Sequence, residues 1–424
     1  MNRRSAFDNS AFLNMEDADL RRDVVRKRID FGDVFAFDKP LFFAVIGLTL
    51  TGILFIYSAS NYSASVQFGD AFHYVKTQAI AFFVGIIAMF GLSFVDVAKL
   101  KRLALPLYAV GILLLALVFV PVLGVESYGA KRWLNLGFFT IQPSEYAKFF
   151  MVILMAKFMS KADMTKFKNM PVMLVIGGLV ALLLILEPNM SITICVVAVL
   201  FAMLFFGGMK VQHLLLLAVP VIVGAVLLVV VEPYRMRRLL AFLNPWESPL
   251  EEGYQLIQSY YALGSGGLFG VGIGNSRQKY LFLPFAESDF ILSVIGEETG
   301  LFGVLTIMLV YLFVAYRGIK IAKFARDRFS CYLAFGVVAV LTVQTLLNFA
   351  VVCGAVPPTG LPLPFMSAGG SSLVAYMSAI GILLSISRRQ VKFLRAPDFI
   401  QADESDTKTR KKTHNINSVS GGFL

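Results

Sequence analysis

Ten stretches of this chain are apolar for close to the ~20 residues that a helix needs to cross a bilayer core, and no other feature constrains the fold as strongly. They lie near 41–59, 75–95, 103–122, 143–160, 171–187, 190–207, 213–232, 289–316, 330–352 and 371–388. Lipid offers an open backbone no hydrogen bonds, so spans of this length must be helices. Composition agrees: 57% of the 424 residues are hydrophobic and 15% charged, against about 45–50% and about 25% in soluble domains. The sequence predicts an all-α polytopic membrane protein of about ten transmembrane helices. A tail over 1–39 precedes the membrane domain, 40–390, and a polar tail over 391–424, expected to be disordered, follows it.

Lys and Arg set the orientation. With the N-terminus inside, the inner loops receive Lys99, Lys101 and Arg102, then Lys157, Lys161, Lys166 and Lys168, then Arg317, Lys320, Lys323, Arg326 and Arg328. The second tail opens with Arg388, Arg389 and Lys392, whereas 60–74 and 355–370 contain neither Lys nor Arg. Both termini are therefore expected in the cytoplasm, with one large outer loop over 233–288. The N-terminal tail, with Arg21, Arg22, Arg26, Lys27 and Arg28, lacks the arrangement of a signal peptide. The net charge of +11 thus reads as orientation and attraction to anionic membrane lipids, not as a nucleic-acid surface.

Several chemistries are excluded. Cys195, Cys331, Cys353, His73, His213 and His414 show no metal-ligand spacing, and HExxH and CxxC are absent. The run Gly264–Gly270 fails G-x-G-x-x-G in every register, and no G-K-[ST] occurs. No nucleotide is expected, and the run reads as a flexible or re-entrant outer segment after a helical stretch, Tyr254–Leu263.

Two outer loops break the orientation rule, one with Lys131 and Arg132, the other with Arg235, Arg237, Arg238, Arg277 and Lys279. Such charges are either solvated or hold an anionic ligand. Trp133 beside them is an interface anchor or a ring that stacks on a sugar. The eighth span carries Asp289, Glu297 and Glu298, and at about 100° per residue Asp289, Ser293, Gly296, Glu297 and Gly300 share one face. Asp289 at the outer mouth reads as functional. Glu297 and Glu298 read rather as structural pairs with another helix or with the 264–279 loop. Glu145 and Lys148 are spaced for an intramembrane pair. Pro357–Ser372 is too rich in Pro and Gly to stay helical and must line a cavity, where Ser367, Ser371, Ser372 and nearby N–H groups suit an anion.

Together these segments resemble the SEDS family (shape, elongation, division and sporulation proteins), its FtsW-like branch above all. The resemblance spans about 40–390 and rests on Lys131-Arg132-Trp133, Gln142-Pro143-Ser144-Glu145, Tyr234 to Arg238, Gly253-Tyr254-Gln255, Glu287-Ser288-Asp289-Phe290, Gly296-Glu297-Glu298, Leu363-Pro364-Phe365 and Gly369-Gly370-Ser371-Ser372. Asn189, after Glu187-Pro188, and Ala368 depart from the family's common Asp and Tyr. The resemblance implies a peptidoglycan glycosyltransferase that polymerises lipid II on the outer face of the bacterial inner membrane at the division septum. It implies Asp289 as general base or as ligand of a divalent cation (Mg or Mn), Trp133 in the same outer site, and as partners a class B penicillin-binding protein and other divisome proteins. A lipid II flippase and a non-catalytic divisome scaffold remain as alternatives; polymerisation by purified protein separates the first reading from both. In a cysteine-free background, cysteines at Ser65 and Ser265 are expected to react with an impermeant reagent from outside, and those at Ser160 and Ser387 are not; labelling of Ser387 in intact cells would reverse the orientation.

Overall fold

Each of the ten expected spans forms a helix in the structure, a computed structural model that describes residues 36–127, 130–135, 137 and 140–394. The helices are α1 (Lys39–Phe68), α2 (His73–Phe94), α3 (Val97–Leu117), α4 (Pro143–Met159), α5 (Met170–Leu186), α6 (Met190–Phe206), α7 (Val211–Val231), α10 (Ile291–Lys323), α11 (Arg328–Val352) and α12 (Gly370–Leu394), with α8 (Pro233–Leu243) and α9 (Tyr254–Gly266) inside the large loop. Among them eight are long and apolar enough to cross a membrane. The apolar α6 is shorter, and α4 carries Glu145, Lys148 and Lys157 along its 17 residues. The basic cluster of the N-terminal tail and nearly all of the C-terminal tail lie outside the described residues.

Caps explain the boundaries. Asp38 accepts from Leu41 N at 3.0 Å and starts α1 two residues before the expected span. Asp96 likewise accepts from Ala98 N at 2.9 Å, so α3 begins six residues before 103, with Lys99, Lys101 and Arg102 inside its first turns. Asp38 also pairs with Arg317 at 2.5 Å and receives a hydrogen bond on Oδ1, while its N–H donates to Ser387 Oγ. These bonds gather the start of α1 and the ends of α10 and α12 at one end of the bundle. Ser387 is thereby buried at 3% exposure, so Ser160 is the informative labelling control on that side.

Along the bundle, α12 lies against α2 and α11, and α11 also packs on α4, α6 and α10. By contrast α7 buries only Leu217 and turns the rest of its apolar surface outward, as a peripheral helix in lipid does. An element absent from the all-α expectation joins α3 to α4: an antiparallel sheet of β1 (Gly124–Ser127), β2 (Ala130–Asn135) and β3 (Thr140–Ile141), ordered β1-β2-β3. Lys131, Arg132 and Trp133 sit on its central strand, which is a firmer mount than a loop.

The eighth span departs from expectation in two ways. It begins at Ile291, so Asp289 lies in the preceding turn and not on the helical stripe with Ser293 and Glu297. It is also broken at Gly300, where φ is 68° and ψ −167°. Backbone from the hairpin after α9 fills the break: Val271 N and Gly272 N donate to Glu297 O and Glu298 O at 2.9 and 3.0 Å, and Leu301 N and Phe302 N donate to Gly267 O and Leu268 O at 2.9 and 3.2 Å. The glycine run is thus docked and re-entrant rather than flexible. A Cβ on Gly270, whose φ is +79°, would lie 2.2 Å from Glu298 O, whereas one on Gly264 meets nothing within 4 Å. Gly270→Ala is therefore expected to destabilise the purified protein by more than about 2 kcal/mol, and Gly264→Ala to leave the melting temperature unchanged or raised; equal melting of the two variants would deny the close approach.

Candidate active site

The bundle centre holds a buried polar network beneath the outer site. Lys148 and Glu145 pair at 2.9 Å with 1% and 0% exposure. Lys148 Nζ also donates to Gln344 Oε1 at 2.6 Å and to Tyr376 Oη at 3.1 Å, while Tyr376 donates to Gln344 Oε1 and Ser372 to Glu145 Oε2. A buried ion pair survives only when hydrogen bonds satisfy it in this way. The network ties α4, α11 and α12 together.

The serines expected to bind an anion are spent on the fold. Ser372 belongs to that network. Ser371 Oγ accepts from Gln142 N at 3.0 Å, and Ser367 accepts from Leu363 N while donating to Ser288 O at 2.6 Å. The N–H groups of Ala368 and Gly369 are taken by Glu287 O and Gln78 Oε1. These bonds clamp the irregular 355–370 segment against the turn that carries Asp289. Asn348 completes the clamp, donating to Asp289 O at 2.9 Å and Leu361 O at 2.7 Å.

Asp289 is thus held by its backbone while its carboxylate stays available. Ser288 Oγ donates to Oδ1 at 3.1 Å, and Oδ2 faces Gly360, where an added Cβ would come within 3.1 Å. Burial pushes this carboxyl up to about 6; the Ser288 bond, Arg132 and Arg238 oppose the rise, and Glu287 adds to it. Arg132 donates through Nη2 to Pro188 O at 2.5 Å, and Arg238 lies 4.9 Å over the Tyr234 ring. Two cations from separate outer segments therefore share the field of one aspartate.

Four residues that sequence reading did not single out complete the site: Glu187, Ser191, Asn348 and Gly360. Glu187 is 1% exposed, and burial pushes its carboxyl up to about 8 against the pull of Arg132. Its two oxygens and Asn189 Nδ2 find no hydrogen-bond partner among the described residues. Ser191 Oγ accepts from Gly360 N at 3.1 Å and joins the 187–189 turn to the 355–370 segment. An acid-proline pair at the outer end of a span was the available signal.

Other candidates stand elsewhere. Arg235 donates back to Leu228 O at 3.1 Å, near the end of α7. Lys279 is 3% exposed, bonds Gly274 O and lies 3.8 Å from Glu298, so it belongs to the re-entrant hairpin and not to the outer site. Glu297 accepts from Ser276 Oγ at 2.5 Å and from Arg277 N and Gln278 N at 2.9 and 3.3 Å. Glu298 accepts from Ser58 Oγ on α1 at 2.5 Å. Lys131 and Trp133 are half-buried on β2.

A divalent cation at Asp289 needs more oxygen ligands than one carboxylate and one hydroxyl, and two guanidinium groups stand in its field. No group of three His, Cys, Asp or Glu gathers among the described residues. This donor set does not fit a cation held by the protein alone.

The raised Asp289 carboxyl has a thermodynamic consequence. An unfolded Asp ionises near 3.9, so its folded form contributes stability at low pH that is lost as pH rises through about 6. Asp289→Asn removes that loss. The variant's melting temperature relative to the parent is expected to climb between about pH 4 and pH 6, and to be higher at pH 7; a lower value at pH 7 would mark Asp289 as a structural acid.

The FtsW/RodA/SpoVE family model, described as cell cycle protein, matches residues 39–392. A probable peptidoglycan glycosyltransferase FtsW from Geobacter sp. (strain M18) is 40% identical over 361 residues, 84% of this chain and 98% of the relative. Stage V sporulation protein E of Bacillus subtilis (strain 168) is 37% identical over 355 residues, 83% and 97% of the two chains. Among solved structures, a chain from a peptidoglycan synthase complex that coordinates polymerization and crosslinking superposes with TM-score 0.70 at 29% identity, covering 84% of this chain and 99% of that one. The rod shape determining protein RodA of Thermus thermophilus gives 0.63 at 27% identity, with 84% and 98% covered. Motifs, ten-helix bundle and outer site thus converge on one conclusion: the chain belongs to the FtsW/RodA/SpoVE family of polytopic membrane proteins.

Proposed function

We propose that this protein is a peptidoglycan glycosyltransferase that polymerises lipid II, with Asp289 as the general base. The single observation that carries the assignment of the base is the Asp289 carboxylate, fixed through its backbone by Asn348 and shared in field by Arg132 and Arg238. In the reaction, the 4-hydroxyl of one disaccharide attacks the anomeric carbon of another. The hydroxyl proton passes to Asp289, the new glycosidic bond forms with inversion, and the bond to undecaprenyl diphosphate breaks. The departing diphosphate takes the electron pair, and Arg132 and Arg238 are the cations placed to stabilise it. One displacement needs no covalent intermediate and no nucleotide.

The alternative reading, a lipid II flippase, would use the buried charges as a polar path. Glu145, Lys148, Glu297 and Glu298 are instead each engaged by partners within the protein, which favours a scaffold role for them. A class B penicillin-binding protein is the proposed transpeptidase partner, in keeping with the similar synthase complex that couples polymerization to crosslinking. The proposed location is the inner membrane at the septum, with the Asp289 face outward.

Base catalysis typically contributes about 10²–10⁴-fold. Asp289→Asn is accordingly expected to lower polymerisation of lipid II by purified protein at least a hundredfold, and parental kcat/KM is expected to rise with pH through about 6 as Asp289 ionises. Near-parental turnover by the variant would remove Asp289 from the mechanism. Transport of lipid II across vesicles without polymer, by the parent, would replace the polymerase with the flippase.

A further inference from the structure

Next to the Asp289 site, the large loop shapes a cavity of about 490 Å³ that nothing above employs. Its wall includes Tyr234, Arg237 and Arg238 of α8, Glu251 and Glu252 of the following turn, and Tyr254 of α9. Pro284 and Pro358 close it toward the catalytic turn, and Gln255 donates to Pro284 O at 3.2 Å, tying α9 to that floor. The size falls within the ~300–1,000 Å³ usual for small-ligand sites.

The lining carries both signs. Arg237 and Arg238 face Glu251 and Glu252, and only one loose pair forms across the cavity, Arg237 to Glu252 at 3.4 Å. Such a wall is the wrong environment for a diphosphate, whose charge is negative throughout and which Glu251 and Glu252 would repel. It suits a short segment of amides with carboxylate and ammonium groups, with the two tyrosine rings packing its aliphatic parts. Lipid II carries one such segment, the peptide on its muramyl sugar. Arg238 links the two places: it lines the cavity and also acts on Asp289.

We propose that this cavity is the subsite for the substrate's peptide, and that Glu251, Glu252 and Arg237 select substrates that bear it. The proposal rests on the reading of the protein as a lipid II polymerase. A peptide held here keeps the attached sugar beside Asp289, so recognition distant from the reacting carbon lowers the entropy of reaching the attack geometry.

The test compares two substrates with the full-length purified protein: lipid II and the same lipid-linked disaccharide without its peptide. Parental KM is expected to be roughly tenfold lower for lipid II, the worth of one or two charge-assisted contacts. Glu251→Gln and Arg237→Gln are each expected to raise KM for lipid II about three- to tenfold, leaving KM and kcat for the peptide-free lipid at parental values, which also reports that the variants are folded. Equal KM for the two lipids in the parent overturns the subsite, as does an equal effect of the substitutions on both. Variant effects that arise only after the transpeptidase is added also overturn it and assign the cavity to protein docking. Failure of the parent to polymerise either lipid would instead overturn the polymerase reading on which the proposal rests.

Discussion

The architecture depends on one constraint: every backbone N–H and C=O at membrane depth must find its partner inside the protein. Ten continuous helices would satisfy it trivially, but they would leave no irregular backbone from which to build a site. This chain instead breaks α10 at Gly300 and unwinds 355–370, then fills both gaps with itself. The glycine hairpin after α9 supplies the hydrogen bonds that the broken helix lacks. Only glycine backbones can approach so closely, since a Cβ on Gly266 would stand 2.0 Å from Gly296 O. Buried Glu297 then gathers the next three residues, Ser276, Arg277 and Gln278, through side-chain and backbone donors. A carboxylate that receives that many donors can stay buried without a formal counter-ion.

At the outer site the same economy is reversed: polar groups are left underused. Asp289 keeps its carboxylate for one weak serine contact, the Glu187 carboxylate has no hydrogen bond among the described residues, and Arg132 is satisfied only by a carbonyl and the field of its neighbours. Leaving buried polar groups unpaired costs about 1–3 kcal/mol each, a cost that a fold tolerates where a substrate supplies the missing partners. Two of the basic residues that violate the orientation rule converge here, Arg132 from the sheet and Arg238 from α8. Their convergence concentrates positive charge around Asp289.

Much of this was legible in the sequence. Span positions followed from apolar length, and the chemistry-bearing motifs pointed to Asp289 and Arg132 together. What failed did so for identifiable reasons. Helical periodicity was extended to Asp289, but the turn Phe285–Phe290 delays the helix to Ile291, and the shared stripe dissolves. Ser367, Ser371 and Ser372 have the right chemistry for an anion, yet pairwise long-range bonds to Ser288 O, Gln142 N and Glu145 claim them first. Lys279 counts as an outer cation in sequence, but the hairpin folds back and carries it to Glu298. The small sheet was missed because β2 is short and Lys131-Arg132-Trp133 shows no strand alternation. Each miss is tertiary: local pattern cannot reveal a chain that re-enters the bundle.

Helix α11 explains how the buried network and the outer aspartate become one unit. Gln344 and Asn348 are one turn apart on the same face. Gln344 takes the Lys148 ammonium on its oxygen and gives its amide to Pro362 O at 2.9 Å. Asn348 gives both of its bonds upward, to Leu361 O and Asp289 O. The ladder therefore runs from the Glu145–Lys148 pair, through two amides, to the carbonyl of Asp289, with the 361–362 backbone as its second rail. Both amides are buried, at 0% and 1% exposure, so water cannot substitute for either rung. Removing one partner of a buried pair costs about 3–5 kcal/mol because the other is stranded, and here the stranded charge would lie directly beneath the segment that walls the site. The charges inside the bundle thus help to fix Asp289 in place, which gives the polar residues at membrane depth a part in the scaffold.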